Sequence, residues 1–452
     1  MQEGRDVSTK TTEAESAGVP AETPATQGED IYGRWPWVER SVWTPRMLRA
    51  LENGVRGSKW YSLIDKVWRS ENLSAAWLGV TLNRGAAGVD GQTVAQFNEQ
   101  TTEELGRLSE EVRQGRYRPK PARRVWIDKP GSVEKRPLGI PVVRDRIVQG
   151  AIRNVMEPIF ERGFAEHSYG FRPGRGCKDA LRRVQELLRS GHHWVVDLDL
   201  KSYFDTIPHD RLLERVQEQV ADGRLIELLK SYLKAGVMEG LKGWEPTEQG
   251  TPQGAVISPL LANLYLSPLD HQMARQGYAM TRYADDLVIQ CRSEAEARQA
   301  LAEVQEWAQA NGLVVHPTKT RIVDATQRGG FDFLGYHFER GLRWPRRKSL
   351  DKLKSKVRAR TRRTSGQSLT VIIAGLNPVL RGWFGYFKHS HWAELRDLDQ
   401  WIRMRLRSLL RKRHKRRGHG YGYDHVRWPN AYFERHGLYS LWRARALIIQ
   451  SR

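Results

Sequence analysis

Two places in this chain set carboxylates where apolar residues would be expected. The run Arg282-Tyr283-Ala284-Asp285-Asp286-Leu287-Val288-Ile289 carries two adjacent aspartates inside a β-type stretch. A second such stretch, Trp194-Val195-Val196-Asp197-Leu198-Asp199-Leu200, ends in aspartates, with Asp205 a little beyond. Ionised carboxylates in apolar surroundings are costly unless a cation lies beside them. In a continuous strand Asp285 and Asp286 would point to opposite faces, so a tight turn at Ala284–Asp286 is expected, presenting both at a hairpin tip. An Asp-Asp pair in a turn is by itself usually a solvated loop, and the second cluster is what shifts the balance. Acidic side chains at two strand ends are what a divalent metal site needs. Mg²⁺ takes carboxylate oxygens plus substrate phosphates, and a pair of ions neutralises both ends of an in-line phosphoryl transfer.

The elements that must position these residues alternate irregularly. Helical spacing at 99–115, 144–163 and 178–190 surrounds short basic strands at 118–143, which are broken by Pro130-Gly131 and Pro137. After the strand at 194–200 come a helix from about Pro208, the strand-like segment Thr281 to Gln290, and a helix at 293–311. Strand-like pieces follow at 312–324 and 331–338. The order reads as α+β rather than a doubly wound sheet. Residues 1–34 are read as a flexible leader, because large apolar residues are almost absent from most of it. Beyond 345 strand signals nearly vanish. There Leu398, Ile402, Leu406, Leu409 and Leu410 fall on one helical face, with Arg403, Arg407 and Arg411 as a stripe beside it, so the helix is expected to pack inward and grip phosphates outward.

Charge is unevenly distributed. The 452 residues hold 74 Lys+Arg and 52 Asp+Glu, a net charge of +22. Residues 341–452 alone contain 28 Lys/Arg against 6 Asp/Glu, so the rest of the chain is neutral and the whole excess lies in the last quarter. A neutral body with a basic end suits a polyanionic partner. A basic disordered tail would look similar in charge, but Trp344, Trp383, Phe384, Tyr386, Phe387, Trp392, Trp401 and Trp428 interleave with it and favour burial or base stacking. Two cysteines, Cys177 and Cys291, exclude a disulfide framework and a cysteine-rich zinc site. No apolar run reaches membrane-spanning length, so no membrane partner and a cytoplasmic protein are expected. No Gly-Lys-Ser/Thr phosphate loop is present, which leaves an NTP-hydrolysing motor unsupported.

The residues also resemble a known family. Tyr283-Ala284-Asp285-Asp286 is similar to the catalytic hairpin of reverse transcriptases, and Asp199-Leu200-Lys201-Ser202-Tyr203-Phe204-Asp205 to their first catalytic motif. Gly250 to Asn263 resembles the motif under the incoming nucleotide and template. His167-Ser168-Tyr169-Gly170-Phe171-Arg172-Pro173-Gly174-Arg175-Gly176 and Gly330-Phe331-Asp332-Phe333-Leu334-Gly335-Tyr336 resemble strings of bacterial group II intron-encoded reverse transcriptases. Leu376-Asn377-Pro378-Val379-Leu380-Arg381-Gly382-Trp383-Phe384-Gly385-Tyr386-Phe387 is similar to their maturase-specific thumb. The matches run in a single order from about residue 60 to the C-terminal end of the sequence.

The resemblance implies a right-hand polymerase. Fingers and palm would occupy 35–340, a helical thumb or maturase domain 341–410, and a small basic DNA-binding region 411–452, without the cysteine-paired HNH endonuclease of many relatives. It implies that Asp199, Asp285 and Asp286, with the carbonyl of Leu200, hold two Mg²⁺ ions, Mn²⁺ being a possible substitute. Lys129 and Arg136 would hold the triphosphate, although a solvated hairpin charge run is the alternative. Phe204 would exclude a ribose 2′-hydroxyl, or else be an ordinary core residue. Gln253 would contact nucleotide or template, and Lys319 would act near the leaving group. Phe333, Leu334 and Gly335 would grip the primer. Arg403, Arg407, Arg411, Lys412 and Arg413 are assigned to nucleic-acid binding. The implied partners are group II intron RNA, a DNA target or primer, and dNTPs. The implied function is copying of intron RNA into DNA during retrohoming, together with splicing assistance. The alternatives are a non-enzymatic RNA-binding splicing chaperone and a host-adapted reverse transcriptase no longer linked to an intron.

Overall fold

A computed structural model describes residues 30–128, 135–239, 243–418, 420 and 422–450. Most of the leader assigned to 1–34, and Lys129, lie outside the described residues. At the leader's end, Ile31–Arg34 form a helical turn capped by the Asp30 carboxylate, with Ile31 buried, so order begins earlier than expected. Among the described residues the strands run, in chain order, β1 (Ala122–Asp128), β2 (Lys135–Ile140), β3 (Trp194–Asp199), β4 (Val237–Glu239), β5 (Gly243–Glu245), β6 (Ala279–Tyr283), β7 (Asp286–Cys291), β8 (Arg321–Asp324), β9 (Phe331–Phe333), β10 (Tyr336–Glu339) and β11 (Leu342–Pro345). Strands and helices are mixed without regular alternation, as α+β requires.

The chain forms two compact units. The first comprises residues up to Val125 together with Pro137–Phe164 and Phe204–Tyr265. Its central helix, Val143–Glu161, is buried on nearly every side through Val143, Ile147, Val148, Ala151, Ile152, Val155, Met156 and Ile159. A helix buried around most of its circumference must be wrapped, and Asp145, Arg146 and Gln149 are buried with it. Ser70–Asn83 supplies one wall, approaching so closely at Gly150 that a Cβ there would stand 3.0 Å from Ala76 Cβ. The strand order in the associated sheet is β2-β1-β4-β5, with β1 parallel to β4 (Ala122↔Val237).

The second unit comprises Trp126–Arg136, Ala165–Tyr203 and Leu266–Arg452. Its main sheet has the order β6-β7-β3-β8, all neighbours antiparallel. β7 is apolar and buried without alternation from Leu287 to Ile289, with the helices Cys177–Arg189 and Glu294–Ala310 packed against it. Val195 and Val288 share a core with Ala180, Leu181 and Val184 of the helix Cys177–Arg189 and with Phe331, Phe333 and Phe338 of the smaller β9-β10-β11 sheet. Strand alternation then puts Asp197 and Asp199 on the same face as Val195, and Asp286 on the same face as Val288. The fold therefore extends one apolar face into an acidic end.

From Arg347 the second unit is helical. The segments Arg347–Arg360, Leu369–Phe387, Trp392–Arg413, Asn430–Arg435 and Leu441–Gln450 share one core that runs from Leu353 through Ile402 and Leu406 to Trp428, Phe433 and Leu441. The boundary expected at residue 410 falls inside the helix Trp392–Arg413, and the residues after it are not a separate body. Buried Asp399 ties them in by accepting the Leu441 and Trp442 amides (3.0 and 3.1 Å) and the Ser440 hydroxyl (2.6 Å). The apolar face of that helix is as expected, whereas the arginine stripe is not. Arg407 is only 2% exposed; its Nε donates to Trp428 O (2.9 Å), its Nη2 to Asn430 Oδ1 (2.8 Å), and its guanidinium lies over the Phe433 ring. Arg411 is paired with buried Asp424 (2.7 Å). Both were assigned to phosphate binding, but C-terminal residues pack over this side of the helix and take their donors. Arg403 is half-buried, and Lys412 and Arg413 remain exposed.

Arg407→Ala is expected to destabilise the protein by about 2–3 kcal/mol, because buried acceptors lose their donor and the packed stem is removed. Lys412→Ala is expected to stay within about 0.5 kcal/mol of wild type. Denaturant midpoints measure both. An unchanged midpoint for Arg407→Ala with weakened RNA binding would restore the phosphate-gripping assignment.

Candidate active site

The hairpin that carries Asp285 and Asp286 is a strained turn held from three sides. Tyr283 pairs with Asp286, leaving Ala284 and Asp285 as a two-residue loop. Ala284 has φ +58, as a type II′ turn needs at its first loop position, where glycine is preferred. An alanine held there costs on the order of 1 kcal/mol. Beneath the loop, Arg282 is 1% exposed. Its Nη1 donates to Ala284 O (3.0 Å) and its Nε to Asp270 Oδ1 (2.7 Å), while its second nitrogen completes a bidentate pair with the Asp270 carboxylate. Beside it, the Arg282 amide donates to His167 O (3.0 Å) and the Tyr169 amide to Arg282 O (2.9 Å), so the His167–Gly176 string zips along β6. Gly170 then passes so close that a Cβ would stand 2.3 Å from Ala284 N. Only glycine fits.

At the acidic end of the sheet, Asp199 and Asp286 come together. Asp199 is the direct cross-strand partner of Asp286, which puts both side chains on one face at the end of β3 and β7. Asp199 Oδ2 accepts from Lys319 Nζ at 2.9 Å, and Asp197 pairs with Arg321 at 3.1 Å. Burial pushes the Asp285 carboxyl up, Arg136 pulls it down, and nearby Asp199 raises it again. Asp286 is pushed up to about 7, first by burial and then by the charges of Asp285 and Asp197, while the Leu334 amide donating to it opposes the shift. Leu200 follows as β3 ends, bridged to Val315. Among the described residues no three carboxylate, imidazole or thiol groups already converge at metal-ligand distance. The donor set nevertheless fits a hard divalent cation. It consists of carboxylate oxygens from Asp199, Asp285 and Asp286; the Asp199 charge raises the proton affinity of Asp285, and the Asp285 charge that of Asp286.

The remaining expected residues divide between the units. In the second, β9 and β10 are joined through Leu334 and Gly335, whose φ values of +46 and +83 make a type I′ turn, and Phe333 is buried beneath it. In the first, Phe204 is buried, and its carbonyl accepts the Thr251 amide (2.6 Å). The Gln253 amide reaches Asp205 at 3.5 Å. Gly254, at φ +110, would bring a Cβ to 2.5 Å from Gly139 O.

Asp270, Arg282 and Gly170 were not identified as parts of the site. A signal for the first two was present in the sequence. An arginine amid the apolar residues of β6 needs a buried counter-ion, and Asp270 stands in the otherwise apolar run Leu264-Tyr265-Leu266-Ser267-Pro268-Leu269. For Gly170 no sequence signal distinguishes a close backbone approach from an ordinary turn.

Comparison with known proteins agrees with this geometry. Residues 127–338 match the family described as reverse transcriptase (RNA-dependent DNA polymerase), and residues 350–426 match the group II intron maturase-specific domain. Protein YkfC of Escherichia coli (strain K12) is 35% identical over 296 residues, covering 56% of this chain and 76% of that protein. The group II intron-encoded protein LtrA of Lactococcus lactis subsp. cremoris is 38% identical over 204 residues, covering 45% of this chain and 33% of that protein. An uncharacterized 91 kDa protein in the cob intron of Schizosaccharomyces pombe is 31% identical over 264 residues, covering 45% and 32%. The match thus spans three quarters of the first relative but only a third of the other two. Fold and site together define an RNA-directed DNA polymerase of the reverse transcriptase class. The chain belongs to the group II intron reverse transcriptase and maturase family.

Asp270→Ala is expected to lower stability by about 3–5 kcal/mol, because it leaves the Arg282 guanidinium buried without its counter-ion. The pair Asp270→Leu/Arg282→Met is expected to recover most of that loss in denaturation while DNA synthesis stays depressed, because Ala284 O still lacks its donor. Full recovery of synthesis in the double variant would show that the ion pair has no part in holding the turn.

Proposed function

We propose that this chain is a group II intron-encoded protein that copies RNA into DNA by nucleotidyl transfer assisted by two Mg²⁺ ions, and that it also acts as a maturase. The observation that carries the reading is the cross-strand pairing of Asp199 with Asp286 beside Asp285, which brings together acids from two distant stretches. Asp199 and Asp285, with the Leu200 carbonyl and Asp286, would hold the ions. When bound, these would supply activation of the primer 3′-hydroxyl and charge neutralisation at the leaving group. Lys319 neutralises Asp199 directly and is suited to face departing pyrophosphate. Arg136, whose charge is already felt at Asp285, is suited to bidentate contact with the incoming triphosphate, and Lys129 would assist it. Phe204 would exclude a 2′-hydroxyl, and Gln253 would contact nucleotide or template. The turn through Leu334 and Gly335 would position the primer end.

The maturase role calls for binding unspliced intron RNA and stabilising its active fold. Splicing chemistry in such systems belongs to the RNA, so this role needs the basic helical region but no protein carboxylate. Retrohoming would add a DNA target as partner, in a cytoplasmic ribonucleoprotein. No helix among the described residues is long and apolar enough to cross a membrane.

Primer extension on an RNA template is expected from wild type and is expected to fall by at least about 10³-fold in Asp285→Ala, with RNA affinity and splicing retained. Absence of synthesis by wild type, with splicing intact, would instead identify an RNA chaperone. RNA affinity is expected to fall steeply and linearly on a log–log plot against salt, as phosphate contacts release counterions. A nearly flat dependence would remove the role given to the basic end.

A further inference from the structure

The helix Val143–Glu161, the buried centre of the first unit, carries a side chain whose polarity its apolar surroundings do not call for. Gln149 is only 4% exposed, and a buried amide is tolerated where it finds partners. Its Oε1 accepts the Val256 amide at 2.8 Å and lies 3.5 Å from the Ile257 amide. These two residues close the loop 250–257, and the helix that follows begins at Ser258. Amides at a helix start have no acceptor inside their own helix, and here a side chain of another helix supplies it.

The two ends of this loop are held by different means. At its start the Gly250 amide donates to Ile207 O (2.7 Å), the Thr251 amide to Phe204 O (2.6 Å), and His209 Nε2 to Gly250 O (2.7 Å). In the middle, Gln253 O accepts the Gly139 amide (2.7 Å). Next comes Gly254, exposed and at φ +110, with no side chain to anchor it. Past this joint the Ala255 amide turns back to Pro252 O (3.1 Å), and Ser258 Oγ donates to the same carbonyl (3.0 Å). Those two bonds shape the loop without tying it to the rest of the fold. Gln149 supplies the tie. Packing alone does not fix the loop's height, because a cavity of about 20 Å³ separates Asp145 and Tyr232 from Thr251, Pro252 and Ala255. That is room for a single water, and so room for the loop to settle.

We infer that Gln149 is a positioning residue of the polymerase. Its amide oxygen fixes the second half of the loop and thereby the reach of Gln253. The inference rests on the reading that Gln253 contacts nucleotide or template, and it deepens that reading by naming the side chain that sets the contact.

The test uses the full-length protein. Gln149→Met keeps the length of the side chain and removes the acceptor. It is expected to raise KM for the dNTP in primer extension about tenfold, with kcat within about twofold of wild type. Amide hydrogen exchange of the 250–258 peptide, followed without substrate or metal, is expected to quicken. Gln149→Asn, which keeps the amide but withdraws it by one methylene, is expected to show both effects and serves where the methionine variant does not fold. Asn72→Leu is the matched control, since it removes buried hydrogen bonds to the same helix at Ala151 and Asn154. It is expected to lower the thermal midpoint while KM and the exchange of this peptide stay within about twofold of wild type. An unchanged KM in the Gln149 variants, unchanged exchange, or an equal rise of KM in Asn72→Leu would each overturn the inference. If wild type made no DNA, the polymerase reading would fail, while the exchange rates would still decide whether Gln149 holds the loop.

Discussion

Carboxylates gathered at the end of two paired strands repel one another, and the architecture around them answers that repulsion. Two unit charges about 5 Å apart at an effective dielectric of about 20 oppose each other by about 3 kcal/mol. Asp286 registers the effect as a carboxyl pushed up to about 7, with burial as the largest cause and Asp285 and Asp197 adding to it. A surface loop would relieve such crowding by moving apart. Here the cross-strand pairing of Asp199 with Asp286 opposes it, because separating them would open the end of the ladder between the two central strands of the sheet. Local cations take up part of the charge, Lys319 on Asp199 and Arg321 on Asp197. The crowding that remains is of the kind a hard divalent cation, proposed above at these carboxylates, would relieve.

Holding the charges together also requires holding strained backbone. Ala284 and Leu334 both sit at positive φ without being glycine, and each belongs to a two-residue turn at the acidic end. Their restraints differ in kind. Ala284 is fixed from inside its own hairpin by Arg282, which in turn depends on Asp270, and from outside by the close passage of Gly170. Leu334 is fixed by a group distant in sequence, the Tyr386 hydroxyl that donates to its carbonyl. Strain in a turn that presents acids, absorbed by buried partners, is the pattern expected of a preorganised site.

How much of this was legible in the sequence depended on whether a residue's role was local. The turn at Ala284–Asp286 followed from two adjacent aspartates in an apolar strand, because side-chain alternation leaves few other arrangements. The meeting of Asp199 with the hairpin followed from the two acidic strand ends together with the resemblance to a polymerase family. The α+β class followed from the irregular order of periodicities. What was missed depends on long-range packing. Arg407 has the spacing of an outward stripe, but its direction is set by Trp428, Asn430 and Phe433, whose return over the helix no periodicity encodes. For the same reason the boundary at 410 was misplaced. The helix Trp392–Arg413 has apolar residues up to its end because the chain folds back onto it.

The basic quarter is better understood once the consumed arginines are set aside. Arg405 donates to Thr361, Arg407 to Trp428 and Asn430, and Arg411 to Asp424, so part of the excess charge is structural. The helix Arg347–Arg360 is arranged differently. Leu353 and Val357 turn inward, while Lys352, Lys356, Arg358 and Arg360 are exposed. A second exposed group spans the end of the long helix and the residues after it, at Lys412, Arg413, Lys415 and Arg416, although Arg413 also donates to the Ser365 and Gln367 carbonyls. A polyanion is attracted by charge that can exchange counterions, and charge locked in buried hydrogen bonds cannot do so. Exposed charge of this kind is found on the helix that begins just past β11 and in the segment after Arg411, among other exposed basic residues of the region. The stripe that looked most regular in the sequence spends much of its charge on holding the helices together.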